Sequence, residues 1–357
     1  MFLNALPFAI SFLFLPLAAI GALYGGAWMA LAPVYAFVAI PALDSVMRLN
    51  EARLESDTAE DELFWHRLLT WLWVPIQLTM IFGLIWVAAT METLGTWEII
   101  VMACIVGVAS GGIGITYAHE LMHQQNRFEK LLAEILMCST LYGHFCIEHI
   151  YGHHINVATP DDPATARRGE TIYRFVPRSV GQGFLSAWRI QRDQLARRGS
   201  SLLSRRNAFW RYGAWTIGFL GLSAIMGGWL GVGIFVLQAV VAILLLELVD
   251  YIEHYGLLRR KRANGRYEPT RPHHSWNSGH QASNWLLINL QRHSDHHYKP
   301  RKRFPTLQSY PESAAPQLPH GYPWMVLLAL VPPLYFKVME PKLEAWQARF
   351  YPDEGIS

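Results

Sequence analysis

Six apolar runs, each close to the length of a membrane-spanning helix, constrain this 357-residue sequence more than any other feature. A helix needs about 20 mainly apolar residues to cross the hydrocarbon core of a bilayer. Charged residues make up only 16% of the chain, whereas an ordinary soluble domain has roughly 25%. We therefore predict an all-α integral membrane protein with six transmembrane helices. Their predicted positions are 2–24, 27–47, 68–90, 97–117, 209–228 and 230–249.

The distribution of basic residues predicts the orientation of these helices. The runs pair into three hairpins with short turns at 25–26, 91–96 and near 229, and none of the turns contains lysine or arginine. Basic residues accumulate on the cytoplasmic side of a membrane. We therefore expect both termini and the long polar stretches in the cytoplasm, within a single domain over 1–357. The long stretches are 48–67, 118–208 and 250–321, and the last two are the predicted catalytic segments.

A further apolar stretch, Tyr322–Met339, is marginal as a transmembrane helix. Pro332 and Pro333 interrupt it, and proline inside a helix removes a hydrogen bond and clashes with the preceding turn. We therefore expect this stretch to lie at the membrane interface or to pack against the bundle.

The chain has 15 histidines, and nine of them lie in four short segments that contain "HELMH", "EHIYGHH", "YIEHYG" and "RHSDHH". Spacings of three and four residues put histidines on one face of a helix. Two of the segments lie at the ends of predicted transmembrane helices, so the helices bring the segments to one depth, as a histidine-rich cytoplasmic cap. The nine residues are His119, His123, His149, His153, His154, His254, His293, His296 and His297.

This many imidazoles at one depth predicts two metal ions. Neutral imidazole is the commonest metal ligand in proteins and suits zinc, copper, iron and nickel. One ion takes about four protein ligands, so nine histidines exceed what one ion can use. In the doublets His153–His154 and His296–His297, neighbouring helical side chains point about 100° apart. Each doublet can therefore give one ring to each ion.

A different class of enzyme also fits one segment. "HELMH" matches the HExxH pattern of zinc peptidases, in which two histidines bind zinc and the glutamate acts as a base. An intramembrane zinc peptidase needs only one more ligand. That alternative leaves at least six of the nine histidines without a role.

The segments resemble the histidine boxes of membrane-bound non-haem di-iron enzymes, as does the longer phrase "NSGHQASNWLLINLQRHSDHH". "YIEHYGLLRRK" resembles the signature of the alkane 1-monooxygenase family, and "GHHINVATPDDPATARRGETIYRFVPRS" is also typical of it. The resemblance covers about residues 30–342. It implies a bacterial inner-membrane protein with six transmembrane helices and a cytoplasmic cap over two iron ions. It also implies that all nine histidines are iron ligands.

The resemblance further implies a reaction, which is the oxygen-dependent hydroxylation of medium-chain and long-chain n-alkanes to 1-alkanols. Electrons would come from a rubredoxin, recharged from NADH by a reductase. The sequence contains no CxxC pair, so we expect a separate carrier and no fused rubredoxin. A hydroxylase of methyl-aromatic compounds such as xylene, from the same superfamily, stays open as an alternative. No nucleic-acid partner is implied.

Carboxylates near the boxes are candidates for fixing the orientation of the rings, because ligand histidines usually donate their second N–H to an acceptor. Each of them is equally explained by solvation or by pairing with an arginine. One of them, Asp250, stands where the family usually has asparagine. The candidates are Glu120, Glu148, Asp162, Asp250, Glu253 and Asp295.

Two positions are candidates for the substrate channel. Ala36 lies in the second apolar run, where alanines recur every three or four residues. Small residues in membranes usually allow close helix packing, but Ala36 could also leave depth for a long chain. Met122 stands where the family often has glycine, and we expect it to affect the pocket.

Overall fold

A computed structural model describes residues 1–50 and 53–351, so the predicted domain 1–357 is seen without residues 51–52 and 352–357. Within the described residues all regular structure is helical, apart from three isolated bridges, which confirms the all-α prediction. The helices used below are α1 (Phe2–Tyr24), α2 (Gly26–Val46), α3 (Phe64–Thr90), α4 (Thr96–Met122), α5 (Arg127–Ser139), α6 (145–156), α7 (Ile172–Arg197), α8 (Ala208–His254), α9 (Gln281–Leu286), α10 (His293–Tyr298), α11 (Tyr322–Ala329) and α12 (Pro332–Phe350).

Five of these helices (α1, α2, α3, α4 and α8) are long and apolar enough to cross a membrane. Helix α8 has 47 residues, which would extend about 70 Å if straight. It breaks at Gly227 and Gly228, and the φ of 58° at Gly228 is a value that glycine adopts readily. A Cβ on Gly231 would lie 2.2 Å from the Ser223 carbonyl oxygen. Helix α8 therefore folds back on itself and supplies both the fifth and the sixth predicted transmembrane helices.

Glu98 joins the turns of the first two hairpins. Its Oε1 accepts a hydrogen bond from the Gly26 amide at 2.7 Å, and its Oε2 accepts one from the Gly95 amide at 2.7 Å. The second bond caps the start of α4, where amide groups have no partner within the helix. The two turns consequently lie at the same side of the bundle, as the hairpin topology predicts.

Two glycines bring α4 and α8 unusually close. A Cβ on Gly107 would lie 2.6 Å from the Gln238 carbonyl oxygen, and a Cβ on Gly111 would lie 2.5 Å from the Ala242 carbonyl oxygen. Glycines four residues apart let the backbones of membrane helices approach each other. This packing holds the helix that ends in the first histidine segment against the helix that ends in His254.

The C-terminal apolar stretch is a bent pair of helices. The chain bends by 120° between α11 and α12. Pro332 and Pro333 lie at the start of α12, where the missing N–H of proline breaks no helical hydrogen bond. Tyr322, Met325 and Met339 are all buried. The stretch thus breaks where the prolines stand and packs against the bundle, as expected.

An ion network that is buried at Arg303 and Glu129 and exposed at Glu60 ties the polar segments to the transmembrane helices. Arg303 donates hydrogen bonds to both oxygens of Glu60 and to both oxygens of Glu129 on α5, at 2.8–3.1 Å. Arg67 at the start of α3 also donates to Glu129. Removing one partner from a buried ion pair typically costs about 3–5 kcal/mol. The network therefore fixes the segment after α10 relative to α3 and α5.

Candidate di-metal centre

The nine histidines converge at one end of the bundle as two groups that could each hold a metal ion. Within each group the candidate ligand atoms all lie within 4.8 Å of one another. The doublets divide as predicted, since His153 and His154 fall in different groups, and so do His296 and His297. The five-histidine group is His119, His123, His149, His154 and His296. The four-histidine group is His153, His254, His293 and His297.

The division within α6 depends on a turn that the sequence spacing did not reveal. His149 and His153 are four residues apart and were expected on one face, yet they belong to different groups. Residues His149–His153 form a π-helical turn, which brings residues five apart into line. His149 Nε2 accordingly lies 3.0 Å from His154 Nε2. The π turn therefore directs His153 alone toward the four-histidine group.

The ring nitrogens are spaced as ligands of common metal ions would be. His149 Nε2 lies 3.1 Å from His123 Nε2, and His293 Nε2 lies 3.1 Å from His254 Nε2 and 2.8 Å from His297 Nε2. Two nitrogens at about 2.1 Å from one ion and at right angles to each other are about 3 Å apart. The histidines present thus fit metal ions in both their type and their spacing.

Burial favours the neutral rings that metal binding requires. It lowers the pKa of six of the histidines outside the transmembrane segments well below the usual value, because the protein interior disfavours the charged ring. Neighbouring histidines lower these pKa values further. The six are His123, His149, His154, His293, His296 and His297.

His153 is the exception, because a carboxylate holds its second nitrogen. Burial alone would lower the pKa of His153, but Asp162, whose Oδ2 lies 2.9 Å from His153 Nδ1, raises it. Burial would likewise raise the pKa of Asp162, but the His153 ring and a hydrogen bond from the Thr165 hydroxyl lower it. Since an ionised carboxylate only accepts, His153 Nδ1–H donates to Asp162 and leaves Nε2 free for a metal.

Three more of the predicted carboxylates lie near the four-histidine group. Glu253 Oε1 lies 3.3 Å from His293 Nδ1. Asp250, Glu253 and His254 have side-chain atoms within 4.8 Å of one another. Glu148 is buried close by, and burial and the charge of Asp162 raise its pKa to about 8.

The other two carboxylates have different partners. Glu120 accepts from the Gln124 side chain at 3.1 Å and lies 3.8 Å from Arg303. Asp295 lies 2.9 Å from the Lys302 ammonium and accepts from the Tyr310 hydroxyl at 2.8 Å. Glu120 therefore lies near an arginine, whereas Asp295 contacts a lysine and a tyrosine.

Two neighbouring cavities lie within the bundle, and the inner one is lined by histidines. The inner cavity contacts both groups, through His119, His149 and His293, and also borders Gly111, Phe145, Leu246 and Glu253. The outer cavity is almost entirely apolar and lies between α1, α2, α4, α8 and α11. Its walls include Phe14, Ala36, Phe37, Gly112, Leu245, Leu286 and Tyr322. Val249 lines both cavities, whereas Met122 is buried in the core and lines neither.

A third cluster, Glu268, His273 and His274, also has metal-ligand residue types. His274 Nδ1 accepts a hydrogen bond from the Arg271 amide at 3.0 Å, and burial lowers the pKa of His274 to about 3. The neutral ring therefore carries its hydrogen on Nε2, which faces Glu268 at 3.2 Å and Tyr351 at 2.9 Å. This cluster ties the residue after α12 to the cap, and hydrogen bonds occupy both ring nitrogens of His274.

The fold and the site together define a multi-pass membrane protein with two histidine groups able to hold metal ions. The family model for fatty acid desaturases matches residues 95–328. Alkane 1-monooxygenase 2 of Pseudomonas aeruginosa is 40% identical over 334 residues, which cover 92% of this chain and 88% of the relative. Alkane 1-monooxygenase 1 of the same organism is 38% identical over 320 residues, covering 86% and 81%. This chain belongs to the alkane 1-monooxygenase family, as its histidine boxes predicted, and is an oxidoreductase.

A more distant relative carries a different substrate in its name. The xylene/toluene monooxygenase hydroxylase component XylM of Pseudomonas putida is 31% identical over 339 residues, covering 93% of this chain and 87% of the relative. This chain is therefore less similar in sequence to that protein than to the two alkane 1-monooxygenases.

Proposed function

We propose that this protein hydroxylates the terminal carbon of medium-chain and long-chain n-alkanes at a di-iron site. The observation that carries the proposal is the placement of both histidine groups against an inner cavity that shares Val249 with an apolar outer cavity. An alkane offers no polar handle, so only an apolar passage of fitting shape can align it. The names of the relatives support the substrate class.

Iron is the proposed metal for both groups, with the nine histidines as ligands. Imidazole suits iron, and the absence of cysteine from both groups disfavours metals that select thiolate. When bound, the two irons would supply the redox chemistry that activates O₂ with electrons from the carrier, so that the C–H bond can be hydroxylated. The protein's own contribution is to hold and orient the rings, exclude water and present one end of the chain.

The zinc peptidase alternative loses support from the geometry of HExxH. His119 and His123 fall in a group of five histidines, where a peptidase needs three protein ligands. Glu120, the residue that would act as base, contacts Gln124 and Arg303.

Ala36 and Met122 are the proposed channel residues. Ala36 is 5% exposed and lies in a π-helical turn of α2, Tyr35–Ala39, facing the outer cavity. Each buried CH₂ contributes only about 0.8 kcal/mol, so the depth of the channel must select chain length. The role of Met122 stays a prediction, since it lines neither cavity.

Localisation in the bacterial inner membrane, with both termini and the histidine-rich end in the cytoplasm, is part of the proposal. The absence of lysine and arginine from the turns at 25–26 and 91–96 supports it. The two turns share Glu98 and therefore one membrane side.

The proposed electron donor is a separate rubredoxin, which receives its electrons from NADH through a reductase. Not every arginine of the polar segments is free to meet it. Arg259 donates to the carbonyl oxygens of Ile155, Val157 and Glu268 at 2.7–3.2 Å, and so holds the segment after His154 in place. Exposed basic residues of the neighbouring hairpin, Lys261 and Arg262, are better candidates for docking an acidic carrier.

We expect the double reversal Lys261→Glu and Arg262→Glu to raise the KM for rubredoxin about tenfold at low salt, with kcat and iron content unchanged. Salt between roughly 50 and 300 mM should weaken docking of the unaltered protein, because it screens charges beyond about 8–10 Å. The matched control is Arg205→Glu with Arg206→Glu, which are exposed beyond the far end of α7. A KM indifferent to both salt and the reversal would show that docking is not electrostatic at this hairpin.

The function itself is tested by product analysis with the purified protein in lipid, iron, rubredoxin and its reductase. Octane and dodecane should yield 1-alkanols, with about two irons per chain. Faster oxidation of xylene than of either alkane would favour the methyl-aromatic alternative. One zinc per chain and no hydroxylated product would contradict both.

A further inference from the structure

The carboxylates around the centre are distributed unequally between the two histidine groups. Two of the four histidines in the four-histidine group have a carboxylate oxygen within 3.3 Å of Nδ1. Within residues 1–50 and 53–351, no ion pair joins a carboxylate to a ring of the five-histidine group. The asymmetry is a property of the chain and does not depend on which metal binds.

Asp162 is held in place more firmly than a solvated carboxylate would be. It is 2% exposed, and its Oδ2 accepts from the Thr165 hydroxyl at 2.6 Å as well as from His153. Its Oδ1 accepts from the Ala164 amide at 3.1 Å. These bonds orient the carboxylate before any metal binds, so its contact with His153 is a built feature of the loop after α6.

Glu253 lies beside Nδ1 of His293, as Asp162 lies beside Nδ1 of His153. It is 1% exposed, and Oε1 is left without a well-aligned hydrogen-bond donor although His293 Nδ1 is 3.3 Å away. A buried acceptor without a partner is costly, and a small rotation of the ring on metal binding would satisfy it. Asp250 adds a third acidic side chain beside His254.

Three carboxylates adjoin a histidine of the five-histidine group in sequence: Glu148 lies near Asp162, and the other two face polar or cationic partners. Glu120 adjoins His119 but contacts Gln124 and lies near Arg303. Asp295 adjoins His296 but contacts Lys302 and Tyr310. Both have a cation within 4.0 Å to offset their charge.

We propose that Asp162 and Glu253 are positioning residues that make the two irons inequivalent, giving the iron of the four-histidine group the lower reduction potential. An acceptor on Nδ1–H makes the ring a stronger electron donor to the metal at Nε2. Stronger donation and nearby negative charge both stabilise the ferric state over the ferrous state. The inference rests on the proposed di-iron site and adds the order in which its irons lose electrons.

The test is Mössbauer spectroscopy and redox titration of protein saturated with ⁵⁷Fe. The unaltered protein should show two resolvable iron sites of different potential. Asp162→Asn and Glu253→Gln should each raise the lower potential and change the spectrum of the same one site, at full iron loading. Asp162→Glu should restore much of the original spectrum, because the longer side chain keeps the charge and the acceptor.

Asp161→Asn is the matched control, since it removes the same charge from the exposed neighbouring residue and should leave both sites unchanged. The inference is overturned if the two variants affect different sites, affect both sites equally or affect neither. Those results leave the proposed function standing, because two irons would still be bound. A chain that takes up fewer than two irons at saturation would instead refute the di-iron site and the inference together.

Discussion

Replacing His297 by alanine is expected to abolish hydroxylation and to remove about one of two irons per chain, while the protein still inserts into the membrane. His297 contributes one ring of the four-histidine group, and its Nε2 lies 2.8 Å from that of His293 and 3.2 Å from that of His153. Without it, three rings remain at that ion. The transmembrane helices do not depend on this ring, because their backbone hydrogen bonds are internal. Iron per chain and product formation are the measurements.

A histidine outside both groups provides the control for this variant. His320 is exposed, so His320→Ala should keep both irons and full activity. His123→Ala is the complementary variant, since it leaves four rings in the five-histidine group and should alter the other iron site in the Mössbauer spectrum. Full activity and iron content in His297→Ala would remove His297 from the proposed ligand set.

Much of this architecture follows from the sequence, because the bilayer restricts what a chain can form. Apolar runs of span length predicted the transmembrane helices, and Pro332 and Pro333 predicted the break between α11 and α12. The histidine doublets predicted a division between two ions, and the two groups divide both doublets. These features depend on composition and on neighbours in sequence.

What the sequence could not predict depends on contacts between distant segments or on local helix type. The four-residue spacing of Gly107 and Gly111 can be seen in the sequence. The sequence does not show which residues of α8 they pack against. The π turn His149–His153 has no clear sequence signal, and it reverses the expected pairing within α6. Asp162 and Asp295 were equal candidates by position, yet only Asp162 contacts a ring nitrogen, because the loop after α6 turns it inward.

The contacts of individual arginines could not be predicted from the sequence either. Their number in the polar segments predicted topology, but it did not separate structural arginines from exposed ones. Arg303 is buried among carboxylates, and Arg259 bonds to backbone carbonyls. Charge reversal at either residue would disturb the fold near the site, so neither can report on carrier docking.

Ala36→Trp is expected to shorten the longest alkane that the protein hydroxylates, without loss of iron. Ala36 borders the outer cavity together with Phe14 and Tyr322, and an indole there would fill the part of the passage remote from the histidines. At about 0.8 kcal/mol per buried CH₂, a chain that loses two methylene contacts would bind about tenfold or more weakly. Octane should therefore be favoured over dodecane and longer chains.

The control for this substitution lies on the same helix. Ala42 is exposed, so Ala42→Trp adds the same side chain to α2 without entering the cavity, and its product ratio should match that of the unaltered protein. Ala36→Val should give an intermediate shift, because it fills less of the space. The ratio of 1-octanol to 1-dodecanol from an equimolar mixture measures all three variants. An Ala36→Trp protein with two irons and an unchanged ratio would mean that the alkane reaches the histidines by a route that does not pass Ala36.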